Sequence, residues 1–156
     1  MKWAFQLAFH EAATKDDRLI LIFGDVGYTM FRDLRKHLPR QCINAGLCEQ
    51  AMVSMAAGMA MEGYRPVLYT IMPFLLERAF EQIKLDIDQM CLRVGLVGYS
   101  DDTAGPTHIE LDFWRMTALL RHTLAFQATR KEDVATLLNH LLTSKSNVPW
   151  ILSLQP

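Results

Sequence analysis

The sequence predicts a single α/β domain (residues 1–156) with a mostly parallel central sheet and helices on both faces. Three observations carry that reading. Short apolar runs of strand length recur along the chain, and stretches with helical spacing separate them. The runs hold few polar residues, the pattern of strands covered on both faces, as parallel strands are. The 156 residues, 51% hydrophobic and 21% charged, suffice for one substantial core and leave no room for a second full domain.

In chain order, Trp3, Leu7 and Ala8, with Glu11 and Lys15 outside, predict a first helix. The polar turn Lys15-Asp16-Asp17-Arg18 leads into an apolar strand over Leu19 to Phe23. Gly24-Asp25-Val26-Gly27 breaks that strand, Phe31 to Leu38 can form a helix, and Pro39 stops it before the short segment Cys42-Ile43-Asn44. From Leu47 to Met61, apolar and small residues cover nearly every face, which predicts a helix buried all round or sealed by another subunit. Gly63 ends it, Pro66 to Ile71 reads as a strand, and Pro73 opens a helix running to about Ile87. A strand at Leu92 to Val97, a loop from Gly98 to Pro106 and a helix near Ile109 to Leu120 follow. The pattern closes with a strand at Thr123 to Ala128, a helix at Glu132 to Leu142 and a last strand near Trp150 to Leu154.

Composition excludes several functions. Sixteen Lys plus Arg against seventeen Asp plus Glu leave a net charge of -1, without the basic surplus that nucleic acid or an anionic membrane would attract. The longest apolar stretch, Ala51 to Met61, falls well short of the ~20 residues that cross a bilayer, and the first residues do not read as a secretion signal. The cysteines Cys42, Cys48 and Cys91 are odd in number and form no CxxC pair, which suits a reducing compartment and so a cytoplasmic location. His10, His37, His122 and His140 lack metal-ligand spacing, and no metal site is expected. Asp86 and Asp88, two apart on a helix, point away from each other and read as a solvated face.

Ligands of open parallel sheets bind at the carboxyl ends of strands, so the segments after strands come first. These are Gly24-Asp25-Val26-Gly27, Asn44 through Gln50, and Asp101 through His108. The first lacks both the dinucleotide and the nucleoside triphosphate fingerprints. Glu49 opens a helix with no other charge until Glu62. Spacing alone favours a helix-terminus residue gaining ~0.3–1 kcal/mol from the dipole. The alternative is a buried acid, which desolvation inclines to hold or share a proton. His108, in the loop beginning Ser100-Asp101-Asp102, is either a helix-start residue or a proton donor and oxyanion partner.

The segment Ile43-Asn44-Ala45-Gly46-Leu47-Cys48-Glu49-Gln50-Ala51-Met52-Val53 through Ala56-Ala57-Gly58-Met59-Ala60 resembles the signature of the transketolase pyrimidine-binding domain. Tyr69-Thr70, Phe74-Leu75 with Arg78-Ala79 and Gln82-Ile83, and the loop Gly105-Pro106-Thr107-His108 resemble its continuation. The resemblance implies the thiamin diphosphate-binding fold and the cofactor thiamine diphosphate. It implies that Glu49 hydrogen-bonds a ring nitrogen of the aminopyrimidine and so activates the cofactor. Phe74 would pack on the pyrimidine, Ile71 would stand where a second aromatic is common, and His108 would face the substrate.

The family's other cofactor domain holds Mg2+ and the diphosphate through Gly-Asp-Gly and a later Asn, a pattern this sequence lacks. The resemblance therefore implies a separately encoded diphosphate-binding subunit that ligates the Mg2+, in an alpha2-beta2 heterotetramer. The third domain common in transketolases is also absent from the sequence. Ala104 stands where sugar-using relatives commonly have Asp, and the chain carries no Arg at Leu154-Gln155-Pro156. Both features weigh against a phosphorylated sugar. The expected activity is transfer of a ketol or acyl fragment from an unphosphorylated or nucleotide-linked ketose or from a 2-oxoacid. A 2-oxoacid decarboxylase beta-like subunit and a noncatalytic assembly module are the alternatives.

Overall fold

Leu19, Ile20, Leu21, Ile22 and Phe23 form the strand β1 (Leu19–Phe23), and none is more than 3% exposed. Burying each such side chain contributes about 1.5–3 kcal/mol, so a strand of this composition is stable only when covered on both faces. The structure, a computed structural model, describes residues 1–100, 103–109, 112–144 and 146–155. Its other strands are β2 (Cys42–Asn44), β3 (Arg65–Ile71), β4 (Gly95–Tyr99), β5 (Leu124–Ala128) and β6 (Trp150–Leu154). They form a six-stranded sheet in the order β2-β1-β3-β4-β6-β5, and every pairing is parallel. The sheet expected to be mostly parallel is thus parallel throughout its described pairs.

Two apolar clusters flank it. One packs Phe5, Phe9, Leu34, Leu138 and Leu142 from α1 (Lys2–Ala13), α2 (Arg32–His37) and α7 (Lys131–Thr143) against Leu21, Tyr69 and Val97. The other packs Met52, Val53, Ala56 and Leu75 from α3 (Glu49–Met61) and α4 (Met72–Leu76) against Ile20, Ile22 and Leu68. Phe113 of α6 (Phe113–Thr117) joins the second cluster. Odd and even strand residues thus serve opposite faces.

Three expected elements take a different course in the structure. The helix expected from Pro73 to Ile87 divides into α4, α5 (Phe80–Gln82) and a π-helical turn at Ile83–Asp88. The Arg78 N–H donates to Pro73 O, five residues back, and this widened turn ends α4. The fourth strand begins later than Leu92, because pairing with β3 sets Gly95 opposite Val67. Of the helix expected at Ile109 to Leu120, the described residues form only α6, capped by the Asp112 side chain accepting from Arg115 N. The helix expected to be buried all round or sealed by another subunit, α3, buries Met52, Val53, Ala56 and Ala57 and leaves Ala51, Ser54, Met55, Gly58 and Met61 exposed within the single chain.

Asp88 corrects the expectation of a solvated face. It is 1% exposed and accepts the backbone N–H groups of Arg121, His122 and Thr123 and the Thr123 hydroxyl. One carboxylate therefore ties the π-helical turn to the start of β5. Burial alone would raise its pKa, but the four donors outweigh burial and hold the carboxyl below its ordinary value. A depressed folded pKa adds stability above the unfolded value of about 4, and that stability is lost as pH falls through the folded pKa. Asp88→Ala strands these buried donors and is expected to cost about 3 kcal/mol at neutral pH in urea unfolding. The gap between variant and parent should narrow below about pH 4, where the parent's carboxylate protonates.

Candidate active site

After β1 the chain turns to β2 on one side, and after β2 it crosses to β3 on the other, with α2 and α3 on opposite faces. The carboxyl ends of the neighbours β1 and β3 therefore bound a topological switch point, where a crevice opens. Gly24 follows β1 directly. A Cβ there would meet Gly46 O and Met52 Sδ, each at 3.1 Å, so glycine lets the loop into α3 close over the strand end. Asn44 ends β2 and braces both loops. Its Oδ1 accepts from Asp25 N and Gly46 N, and its Nδ2 donates to Asp25 Oδ1 at 2.8 Å.

That bracing aims the first turn of α3, so that Glu49 lies inside the fold at 2% exposure. Its Oε2 is 3.4 Å from Arg78 Nη1, and its Oε1 is buried with no hydrogen-bond partner among the described residues. Thr70 Oγ1, near the end of β3, is likewise buried and unpartnered. Such an oxygen costs about 1–3 kcal/mol of desolvation, so a fold that retains it keeps an unfilled hydrogen-bonding position.

Arg78 links Glu49 to the other expected residues. Its guanidinium carbon lies 4.1 Å from the Phe74 ring centroid, and the Phe74 and His108 rings meet edge to face at 4.8 Å. The widened turn after α4 carries Arg78 over Phe74, four residues earlier. His108 ends a 3-10 turn (Pro106–His108), with Nδ1 at 3.0 Å from Thr107 Oγ1. Glu49, Arg78, Phe74 and His108 thus form one chain of contacts at the carboxyl edge of the sheet.

Ile71 does not join that chain. It is 6% exposed and belongs to the core cluster on the α1 and α7 face, against which Phe74 also packs. Asp101 and Asp102, which begin the third segment singled out in the sequence, lie outside the described residues, as does Pro156. Sequence reasoning assigned no role to Arg78. Its signal was there in the i, i+4 spacing from Phe74 on a segment with few other cations.

The carboxylate of Glu49 is buried, whereas the Arg78 side chain is 53% exposed, so their attraction is partly screened. A double-mutant cycle of Arg78→Met with Glu49→Gln, followed by urea unfolding near pH 7, is expected to show a coupling of about 1 kcal/mol. Additive effects would mean that the two side chains do not interact in solution.

The family model described as "Transketolase, pyrimidine binding domain" matches residues 1–155. A 1-deoxy-D-xylulose-5-phosphate synthase of Cyanothece sp. is 46% identical over 117 residues, 67% of this chain and 18% of the relative. An uncharacterized 33.6 kDa protein in the fasciation locus of Rhodococcoides fascians is 38% identical over 96 residues, 62% of this chain and 31% of the relative. The chain therefore spans less than a third of the length of these curated relatives. Among solved structures, a split gene transketolase in the form of an inactive beta4 tetramer superposes with a TM-score of 0.87 at 21% identity, over 98% of this chain and 50% of that one. Transketolase from Campylobacter jejuni superposes with a TM-score of 0.84 at 16% identity, over 99% of this chain and 25% of that one. A match running from the first helix into the end of the last strand, on a fold shared with both transketolases, makes this chain a member of the transketolase pyrimidine-binding domain family.

Proposed function

We propose that this chain forms the pyrimidine-binding half of a thiamine diphosphate-dependent transferase, with Glu49 as the residue that activates the cofactor. The observation that carries the reading is the buried Oε1 of Glu49, unpartnered among the described residues and linked through Arg78 to the ring of Phe74, in a family defined by pyrimidine binding. These residues fit the group. A ring nitrogen at Oε1 would supply the missing hydrogen bond, and Phe74 offers a flat apolar face to an aromatic ring.

Bound there, the cofactor supplies a carbon nucleophile able to cleave and transfer carbon-carbon bonds. The chain's own part is positioning and proton handling. Arg78 engages Oε2, which leaves Oε1 to hold or share a proton with the ring nitrogen in a water-poor crevice. Phe74 keeps water from that contact. Thr107 orients the His108 imidazole through Nδ1, so Nε2 is the atom assigned to a substrate oxygen. Ile71 would act only from the core cluster against which Phe74 also packs.

Residues 1–156 carry no Gly-Asp-Gly motif, so in this proposal the diphosphate and its Mg2+ are held outside this domain. Support for a separately encoded partner comes from the split gene transketolase, half of whose chain this one matches. An alpha2-beta2 assembly in the cytoplasm is the arrangement proposed, with a ketose or a 2-oxoacid as donor. Among the described residues, no helix is long and apolar enough to cross a membrane.

The test is reconstitution with a diphosphate-binding subunit, thiamine diphosphate and Mg2+, followed by product analysis with ketose and 2-oxoacid donors. Glu49→Gln is expected to lower turnover by at least about a hundredfold, the usual scale for losing a proton-handling group. A fully active Glu49→Gln complex would refute the assignment. Phe74→Ala should weaken cofactor affinity about tenfold, the worth of one aromatic face. Equilibrium titration of the cofactor into the reconstituted complex would measure it.

A further inference from the structure

Three neighbouring strands each have an arginine at or just before their amino ends: Arg18 before β1, Arg65 opening β3 and Arg93 before β4. All three line one cleft of about 250 Å³, together with Tyr64, Cys91 and Asn147. A carboxylate serves part of this charge, since Asp16 pairs with both Arg18 and Arg65. Carbonyl oxygens at the end of α7 serve another part. Leu142 O accepts from Arg65 Nη2 and Ser144 O from Arg93 Nη2. Asp17 adds a weaker attraction on Arg18, so among the described residues three cations face two carboxylates, only one of which pairs with them directly. Arg65, only 12% exposed, keeps its Nε buried without a partner among the described residues. Burial, then Arg65, then Arg18 push the Arg93 guanidinium below its ordinary value, and Asp16 opposes them more weakly. Like charges are crowded here beyond what the carboxylates of the described residues neutralise.

We propose that Arg18, Arg65 and Arg93 form a binding site for a small phosphate-class oxyanion at the amino ends of β1, β3 and β4. Guanidinium groups suit this ligand, because their planar forks donate charge-assisted hydrogen bonds to tetrahedral oxyanions. The cleft holds the volume of about eight waters at roughly 30 Å³ each, enough for a phosphate with a small organic group. A strand of seven residues, about 20 Å long, separates this end of the sheet from the Glu49 end, so the site stands independently of the function proposed above.

Inorganic phosphate titrated into the full chain at constant ionic strength tests the site, with melting temperature and the alkylation rate of Cys91 as readouts. Cys91 is the exposed cysteine on the cleft, whereas Cys42 is buried. The expected result is a saturable rise in melting temperature and a slowing of Cys91 alkylation by about fivefold at saturation. Arg93→Gln and Arg18→Gln should each raise the phosphate midpoint about tenfold, the loss of one charge-assisted contact. If Arg93→Gln melts early because α7 loses a cap, the largely exposed Arg18 carries the test. Glycerol phosphate in a parallel titration separates an organic phosphomonoester from the free ion, and saturable protection by either supports the site. Responses that never saturate, an unprotected Cys91, or midpoints unchanged in both variants would overturn it.

Discussion

A parallel sheet covered on both faces tolerates almost no charge along its strands, because an unpaired polar group there costs its full desolvation. β1, β4 and β6 obey this constraint along their whole length, with every residue buried. Chemistry is therefore displaced to the strand ends, where loops leave the sheet and water is near. At the carboxyl end the chain places one acid, one cation and two rings in contact. At the amino end it gathers three arginines, two of them paired with Asp16. The same two-faced burial accounts for both collections.

The carboxyl end shows how a buried acid can be kept. Glu49 is held by backbone geometry set elsewhere. Gly24 allows the close approach, Asn44 braces the two loops, and the half-exposed Arg78 gives one oxygen a counter-charge. That division leaves the second oxygen without a partner among the described residues. A chain selected only for stability would more cheaply carry glutamine or an apolar residue at this position. The cost is understandable if the missing bond belongs to a ligand.

Much of this was legible in the residues. Short apolar runs gave the strands, and its place as a lone acid opening an apolar helix marked Glu49 as a candidate. Family resemblance rather than spacing selected its reading as a buried acid. Asp88 was misread because its position along a helix cannot report the three N–H groups that Arg121, His122 and Thr123 bring from 33 to 35 residues away. The break after α4 was hidden because Leu76 to Ala79 include no helix breaker, and only the Arg78 to Pro73 bond reveals the wider turn. Arg93 lay inside an expected strand, so its convergence with Arg18 and Arg65 followed only from the strand order. Roles that depend on which strands are neighbours are not written in local periodicity.

The central claim is that Glu49 Oε1 is reserved for a ring nitrogen of the cofactor. Carbon-13 NMR of the side-chain carboxyl carbons of glutamate in the reconstituted complex tests it, with the Glu49 resonance assigned by its absence in Glu49→Gln. On addition of thiamine diphosphate, that resonance should move by more than any other glutamate signal. A thiamine analogue lacking the ring nitrogen should bind without moving it. A Glu49 signal unchanged by the saturating cofactor would contradict the assignment.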